Sequence, residues 1–154
     1  MHSRGFTLIE MMITITLFAL LLVVGVPLTQ SWTNSAYQRD AAGLLRQGIS
    51  RAKSIALRNQ GKVQDTAPAA VLCVSGQSLK LLGLTPGQTI DCTVTTQILW
   101  STPLPTVAVL QVANVNLACI AFSNRGFAVN SGSCTTGTVQ VTAGSESAVN
   151  VPLI

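Results

Sequence analysis

From Phe6 to Leu28 the chain is an apolar run broken by one charged side chain, Glu10. At ~1.5 Å per residue, a helix of that length crosses a hydrocarbon layer of about 30 Å. The chain has 154 residues, which leaves room for one domain with a modest core beside this segment. Hydrophobic residues make up 48% of it and charged residues only 9%, with a mean hydropathy of +0.50. That balance is unusual for an entirely soluble domain, and the apolar excess sits at one end.

The net charge of +4 suggests a polyanionic partner until its distribution is considered. Arg39, Arg46, Arg51, Lys53, Arg58 and Lys62 against Asp40 leave +5 in one short segment. Beyond Lys62, Lys80 and Arg125 against Asp65, Asp91 and Glu146 give a net −1. The positive charge therefore belongs to one segment, and the downstream domain is nearly neutral.

The residues before the apolar run are Met1-His-Ser-Arg-Gly5, followed by Phe6-Thr-Leu-Ile-Glu10. An ordinary secretory signal is cut at small residues after its apolar stretch. No A-x-A site follows here; Gly5 stands before the stretch instead. This arrangement resembles the class III leader of type IV pilins and type II secretion pseudopilins, matched residue for residue by Gly5 to Glu10. The resemblance implies cleavage between Gly5 and Phe6 by a prepilin peptidase/methyltransferase and N-methylation of Phe6. It further implies assembly through Phe6 and Glu10, the carboxylate pairing with the Phe6 amine of a neighbouring subunit. A glycine before the cut lets the backbone approach a peptidase closely, because no Cβ intervenes. Glu10 is the expensive residue: an acidic side chain deep in a membrane costs about 2.5–3.5 kcal/mol. Pro27 falls where these proteins commonly have a proline. With Gly25 it marks a site of helix melting on entry to a filament, or a simple kink in a membrane helix. Thr14 and Thr16 are expected to bond back to their own helix carbonyls.

The helical period continues from about Trp32 to Asn59. At ~100° per residue, Ala41, Leu44, Leu45, Gly48, Ile49, Ala52, Ile55 and Ala56 gather on one arc, the face expected to dock on a sheet. Arg39, Arg46 and Lys53 recur every seventh position on the opposite side, with Arg51 and Arg58 at the flank. Such a stripe reads first as a solvated face; subunit contacts, lipid and DNA are its other uses. After Gly61 come short β-prone runs: 70–74, 79–82, 90–94, 97–100, 107–112, 118–122, 127–130, 139–142 and 148–154. Turn signals at Ser75-Gly76, Pro86-Gly87, Pro103–Pro105, Arg125-Gly126 and Ser131–Ser133 separate them. Successive strands with no helical period between them predict antiparallel sheet, so the class is α+β: a long N-terminal helix packed on a C-terminal sheet domain. The divisions expected are a leader at 1–5, a transmembrane and assembly helix at 6–28, its amphipathic half at 29–60 and a β-rich extracytoplasmic domain at 61–154. Within the family, Ala52–Leu57 followed by Val71-Leu-Cys73, and Ile120–Gly126, are similar to the FimT/GspH-type minor pilins and pseudopilins.

Cys73, Cys92, Cys119 and Cys134 all follow the apolar segment, and none forms CxxC. In an exported domain an even count favours two disulfides, with three connectivities open; locality favours Cys73–Cys92 and Cys119–Cys134. Buried free thiols in a cytosolic domain are the alternative. The only histidine, His2, lies in the leader, so the mature chain has none for a Ser-His arrangement or a zinc site. No catalytic residue, metal or cofactor is expected.

The positive-inside rule does not orient the chain, since Arg4 flanks one end of the span and Arg39 and Arg46 the other. The leader and the cysteines place the C-terminal domain outside the cytoplasm. The resemblance therefore implies a single-pass inner-membrane protein with a periplasmic domain, later part of a pilus or pseudopilus. Its role is that of a minor pilin or pseudopilin that primes or joins the filament. Its partners are other pilins or pseudopilins, the inner-membrane assembly platform and membrane lipid. The alternative is a filament-tip binding module such as a DNA-uptake minor pilin. That reading is not favoured, because the C-terminal stretch Ser147-Ala-Val-Asn-Val-Pro-Leu-Ile154 lacks the basic GRxR-like motif such proteins are expected to carry.

Overall fold

A computed structural model describes residues 6–64 and 66–153, and of residues 26–28 the backbone course alone. Gly5, expected to precede the cut, lies outside the described residues, as do Asp65 and Ile154.

One helix, α1, runs through Leu8–Arg58; its 51 residues span about 76 Å. It starts where Thr7, in extended conformation, accepts the Glu10 amide, and it continues through Gly25–Pro27 without a break in this isolated subunit. It ends at Asn59, in the left-handed region at φ 44°. The Asn59 side chain accepts from the Val63 amide and donates to the Val63 carbonyl, both at 2.8 Å, so the chain turns sharply after the last helical turn. Gly61 is needed in that turn, since a Cβ there would overlap the Leu84 carbonyl.

The second half of α1 buries the arc its period predicts. Ala41, Leu45, Gly48, Ile49, Ala52 and Ala56 are buried, and Leu44 and Ile55 are half-buried. Small residues at 41, 48, 52 and 56 bring the helix backbone close to the sheet. A Cβ at Gly48 would lie 3.0 Å from Leu72 Cδ2 and 3.2 Å from the Trp100 ring. On the other side Arg39 and Arg46 are exposed, and Lys53 is half-buried.

The described residues after α1 form nine strands: β1 (Pro68–Val74), β2 (Ser78–Gly83), β3 (Ile98–Pro103), β4 (Ala108–Val112), β5 (Val115–Asn116), β6 (Cys119–Ser123), β7 (Ala128–Val129), β8 (Val139–Ala143) and β9 (Val149–Val151). They make two sheets, ordered β3-β2-β1-β6-β7 and β5-β4-β8-β9, with antiparallel pairing throughout. The α+β class holds. α1 packs on both sheets, against β1, β2 and β6 of the first and β8, β9 and β4 of the second. β5 is not among the expected strands. It has two residues, held by a tight turn in which Ala113 and Asn114 both take positive φ, 49° and 65°.

Alternation divides the first sheet between two apolar layers. Ala70, Leu72, Leu79, Leu81, Ile120 and Phe122 share a core with α1, and Val139, Val141 and Val151 of the second sheet complete it. Each fully buried Val, Leu, Ile or Phe contributes about 1.5–3 kcal/mol. Val71, Cys73, Leu82, Cys119 and Ala121 form the other layer. That face is covered by the connection from β2 to β3, which contributes Leu84, Ile90, Cys92 and Val94.

The expectation of a strand at 90–94 is corrected here. A disulfide from Cys92 to Cys73 in β1 draws the segment across the face of the sheet, where no strand edge offers ladder bonds. Locally, the Asp91 carboxylate accepts from both the Thr93 hydroxyl and the Thr93 amide, turning the chain. Those bonds, the side-chain one foremost, hold the Asp91 carboxyl below its ordinary pKa. A second disulfide joins Cys119 at the start of β6 to Cys134.

Candidate functional site

From Phe6, just before α1, through Gly25 in its first half, every residue is exposed, Phe6 by 81%. An 18-residue window of this helix has a mean hydropathy of 2.5, and none of it is buried against the rest of the chain. A helix that is apolar all round and unpartnered in its own chain requires an apolar surrounding, lipid or other helices. Its polar side chains are turned inward on the backbone. Thr14 donates to the Met11 carbonyl at 2.9 Å, Thr16 to Ile13 at 2.8 Å and Thr29 to Gly25 at 3.0 Å.

Glu10 stands in the first turn, in a capping box with Thr7. Its Oε2 accepts from the Thr7 amide at 2.9 Å and from the Thr7 hydroxyl at 2.8 Å, while the Glu10 amide donates back to Thr7 Oγ1 at 3.3 Å. The arrangement satisfies orphan donors of the helix start and sets a negative charge at the positive end of the helix dipole. Phe6, Thr7 and Glu10 thus lie together at one end of the apolar segment. Sequence reasoning missed Thr7, although the T-x-x-E spacing of a capping box was there to be read.

At the other end of the segment the β domain begins at once. Ser31 Oγ donates to Glu146 Oε1 at 2.9 Å. Gln38, only 6% exposed, donates from Nε2 to the Val141 carbonyl at 2.9 Å and to the Ser147 carbonyl at 2.6 Å. Gly144, at φ 56°, leaves room for the Asn34 amide, which a Cβ would strike. The turn between β8 and β9 is therefore fastened along one face of α1 from residue 31 to residue 38.

The basic residues do not converge on one site. Arg51 stacks over Trp100, its guanidinium carbon 5.3 Å from the ring centroid. Lys53 lines an open groove of about 260 Å³ with Phe127, Thr136 and Leu153. Arg58 and Arg125 are exposed. The Arg51–Trp100 contact was invisible in the sequence because it joins α1 to a distant strand.

Set against known families, residues 1–26 match the family described as the prokaryotic N-terminal methylation motif. No curated protein and no solved structure matches the chain. The motif implies processing by a prepilin peptidase and assembly with other pilins, and with the single apolar N-terminal helix it fits single-pass anchoring in the inner membrane. The motif at the start, an unpartnered apolar helix behind it and an antiparallel β domain docked on the helix's second half together support a type IV pilin-like family for this chain.

Proposed function

We propose that this chain is a minor pilin or pseudopilin, cleaved between Gly5 and Phe6, N-methylated at Phe6, and incorporated through α1 into a type IV pilus or type II secretion pseudopilus. Before assembly it stands in the inner membrane with its β domain in the periplasm, where both disulfides are stable. The observation that carries this reading is the contrast along α1: the second half is docked on two sheets, and the first is apolar and unpartnered. In a filament the first half finds its partners in the helices of other subunits. Glu10 supplies the recognition. Held by Thr7 in the isolated subunit, its carboxylate meets the Phe6 amine of a neighbour in a layer where charge attraction far exceeds its value in water. A DNA-binding tip module would draw on Arg51 and Arg58 of the helix, and the stacking of Arg51 on Trp100 leaves less of that guanidinium free.

The test is Glu10→Gln. A glutamine oxygen still accepts from Thr7, so the cap survives and only the charge is lost. The variant should insert and be cleaved like the wild type. It should enter sheared filaments at least about tenfold less, which corresponds to a loss of ~1.4 kcal/mol or more. Complementation of a deletion strain, with immunoblots of membrane and filament fractions, reads this directly. Wild-type incorporation at matched protein levels would reduce Glu10 to a tolerated interfacial carboxylate.

A further inference from the structure

No spacer separates the apolar segment from the β domain. The apolar run ends at Leu28, and Ser31 already holds Glu146, about 4.5 Å further along the helix axis. The turn at residues 144–148 is small and polar, reading Gly144-Ser-Glu-Ser-Ala148, and its contacts to Ser31, Asn34 and Gln38 pin it beside the helix at this level. One residue past Ser31, and so about 100° around the helix, stands Trp32, 82% exposed. An indole has a broad apolar body and one N–H donor, the chemistry that concentrates tryptophan at membrane–water boundaries.

We propose that Trp32 and the 144–148 turn form a collar that seats in the phospholipid headgroup layer on the side of the membrane away from Phe6, and so fixes the depth of the helix. This rests on the reading of the first half of α1 as a membrane span. The distances support a depth stop. From Glu10 to Trp32 the helix rises about 33 Å, close to the ~30 Å of a hydrocarbon core. With Trp32 at one boundary, Glu10 is delivered to the other, where its charge and the Phe6 terminus beside it reach polar surroundings. Sinking the helix by one turn, ~5.4 Å, would carry Glu146 and the turn's backbone into hydrocarbon; raising it by one turn would carry Glu10 inward. The collar opposes the first displacement and the carboxylate the second.

The chain has two tryptophans, so Trp100→Phe leaves Trp32 as the sole reporter. The full-length variant would be reconstituted into vesicles of phosphatidylethanolamine and phosphatidylglycerol. Association is checked by flotation and resistance to alkaline extraction. Its fluorescence is then quenched by lipids brominated near the headgroup, by lipids brominated near the chain terminus, and by aqueous iodide. The collar predicts blue-shifted emission quenched at least about twofold more by the shallow bromolipid than by the deep one. The companion Trp32→Phe protein, whose Trp100 packs against Gly48 and Arg51, should lose that lipid quenching. Stable association with iodide quenching alone, or with the deep bromolipid the better quencher, overturns the collar and leaves the membrane span standing. Failure to float with the vesicles overturns the span and the collar together.

Discussion

Among single residues, Gln38 shows how a polar side chain settles where a helix docks. It lies three residues before Ala41, at the spacing of the buried arc, yet its chemistry excludes it from any apolar pattern. The fold accommodates it because both amide protons meet carbonyls, of Val141 and Ser147. Gln38→Leu keeps the bulk and leaves the buried Val141 carbonyl, and the part-buried contact to Ser147, without this donor. The expected loss is about 1–3 kcal/mol. Arg39→Leu, on the exposed neighbour, should stay within about 0.5 kcal/mol of wild type. Thermal unfolding of the detergent-solubilised full chain, followed by near-ultraviolet circular dichroism, measures both. Equal effects of the two substitutions would show that Gln38 is not the fastening its geometry describes.

For whole elements, the β2–β3 connection is the instructive case. Ile90, Cys92 and Val94 alternate with Asp91 and Thr93, a period of two that reads as a strand. The alternation is right about burial, since all three apolar side chains pack on the outer face of the first sheet. It misleads about hydrogen bonding, because a segment laid over a face has no edge to pair with. Its hold on the sheet comes from side chains and from Cys73–Cys92, which closes a loop of sequence separation 19. The double variant Cys73→Ser, Cys92→Ser should lose about 3 kcal/mol in the chain-entropy view. It should also uncover Val71 and Leu82, so binding of a hydrophobic dye should rise and proteolysis should concentrate between Leu84 and Gln97. Unchanged dye binding and cleavage would show that the apolar contacts alone hold the segment down. By contrast, the docked arc of α1 is legible in the residue order itself, because its signal repeats every turn within one element.

At the scale of the whole molecule, processing and architecture meet at the N-terminus. If the leader is read as proposed, mass spectrometry of membrane-extracted protein from cells with the prepilin peptidase should find Phe6 first, carrying one methyl group. Retention of Met1–Gly5, or a cut beyond Leu28, would remove the basis of the assembly proposal. What the sequence determined by itself is all of short range: the apolar run, the leader motif, the helical arc and the existence of several β runs. Each is written within a turn or two of chain, where backbone geometry fixes which side chains become neighbours. Tertiary structure alone decided how those pieces meet. It split the strands into two sheets sharing one helix, laid residues 90–94 over a face, stacked Arg51 on Trp100 and closed the β domain onto α1 just past the apolar segment. That closure depends on Ser31 with Glu146, 115 residues apart, and on Gln38 with Val141 and Ser147, 103 and 109 residues apart. Contacts at such separations carry no local periodicity; they appear only when the burial of both sheets against one helix has fixed where every strand lies.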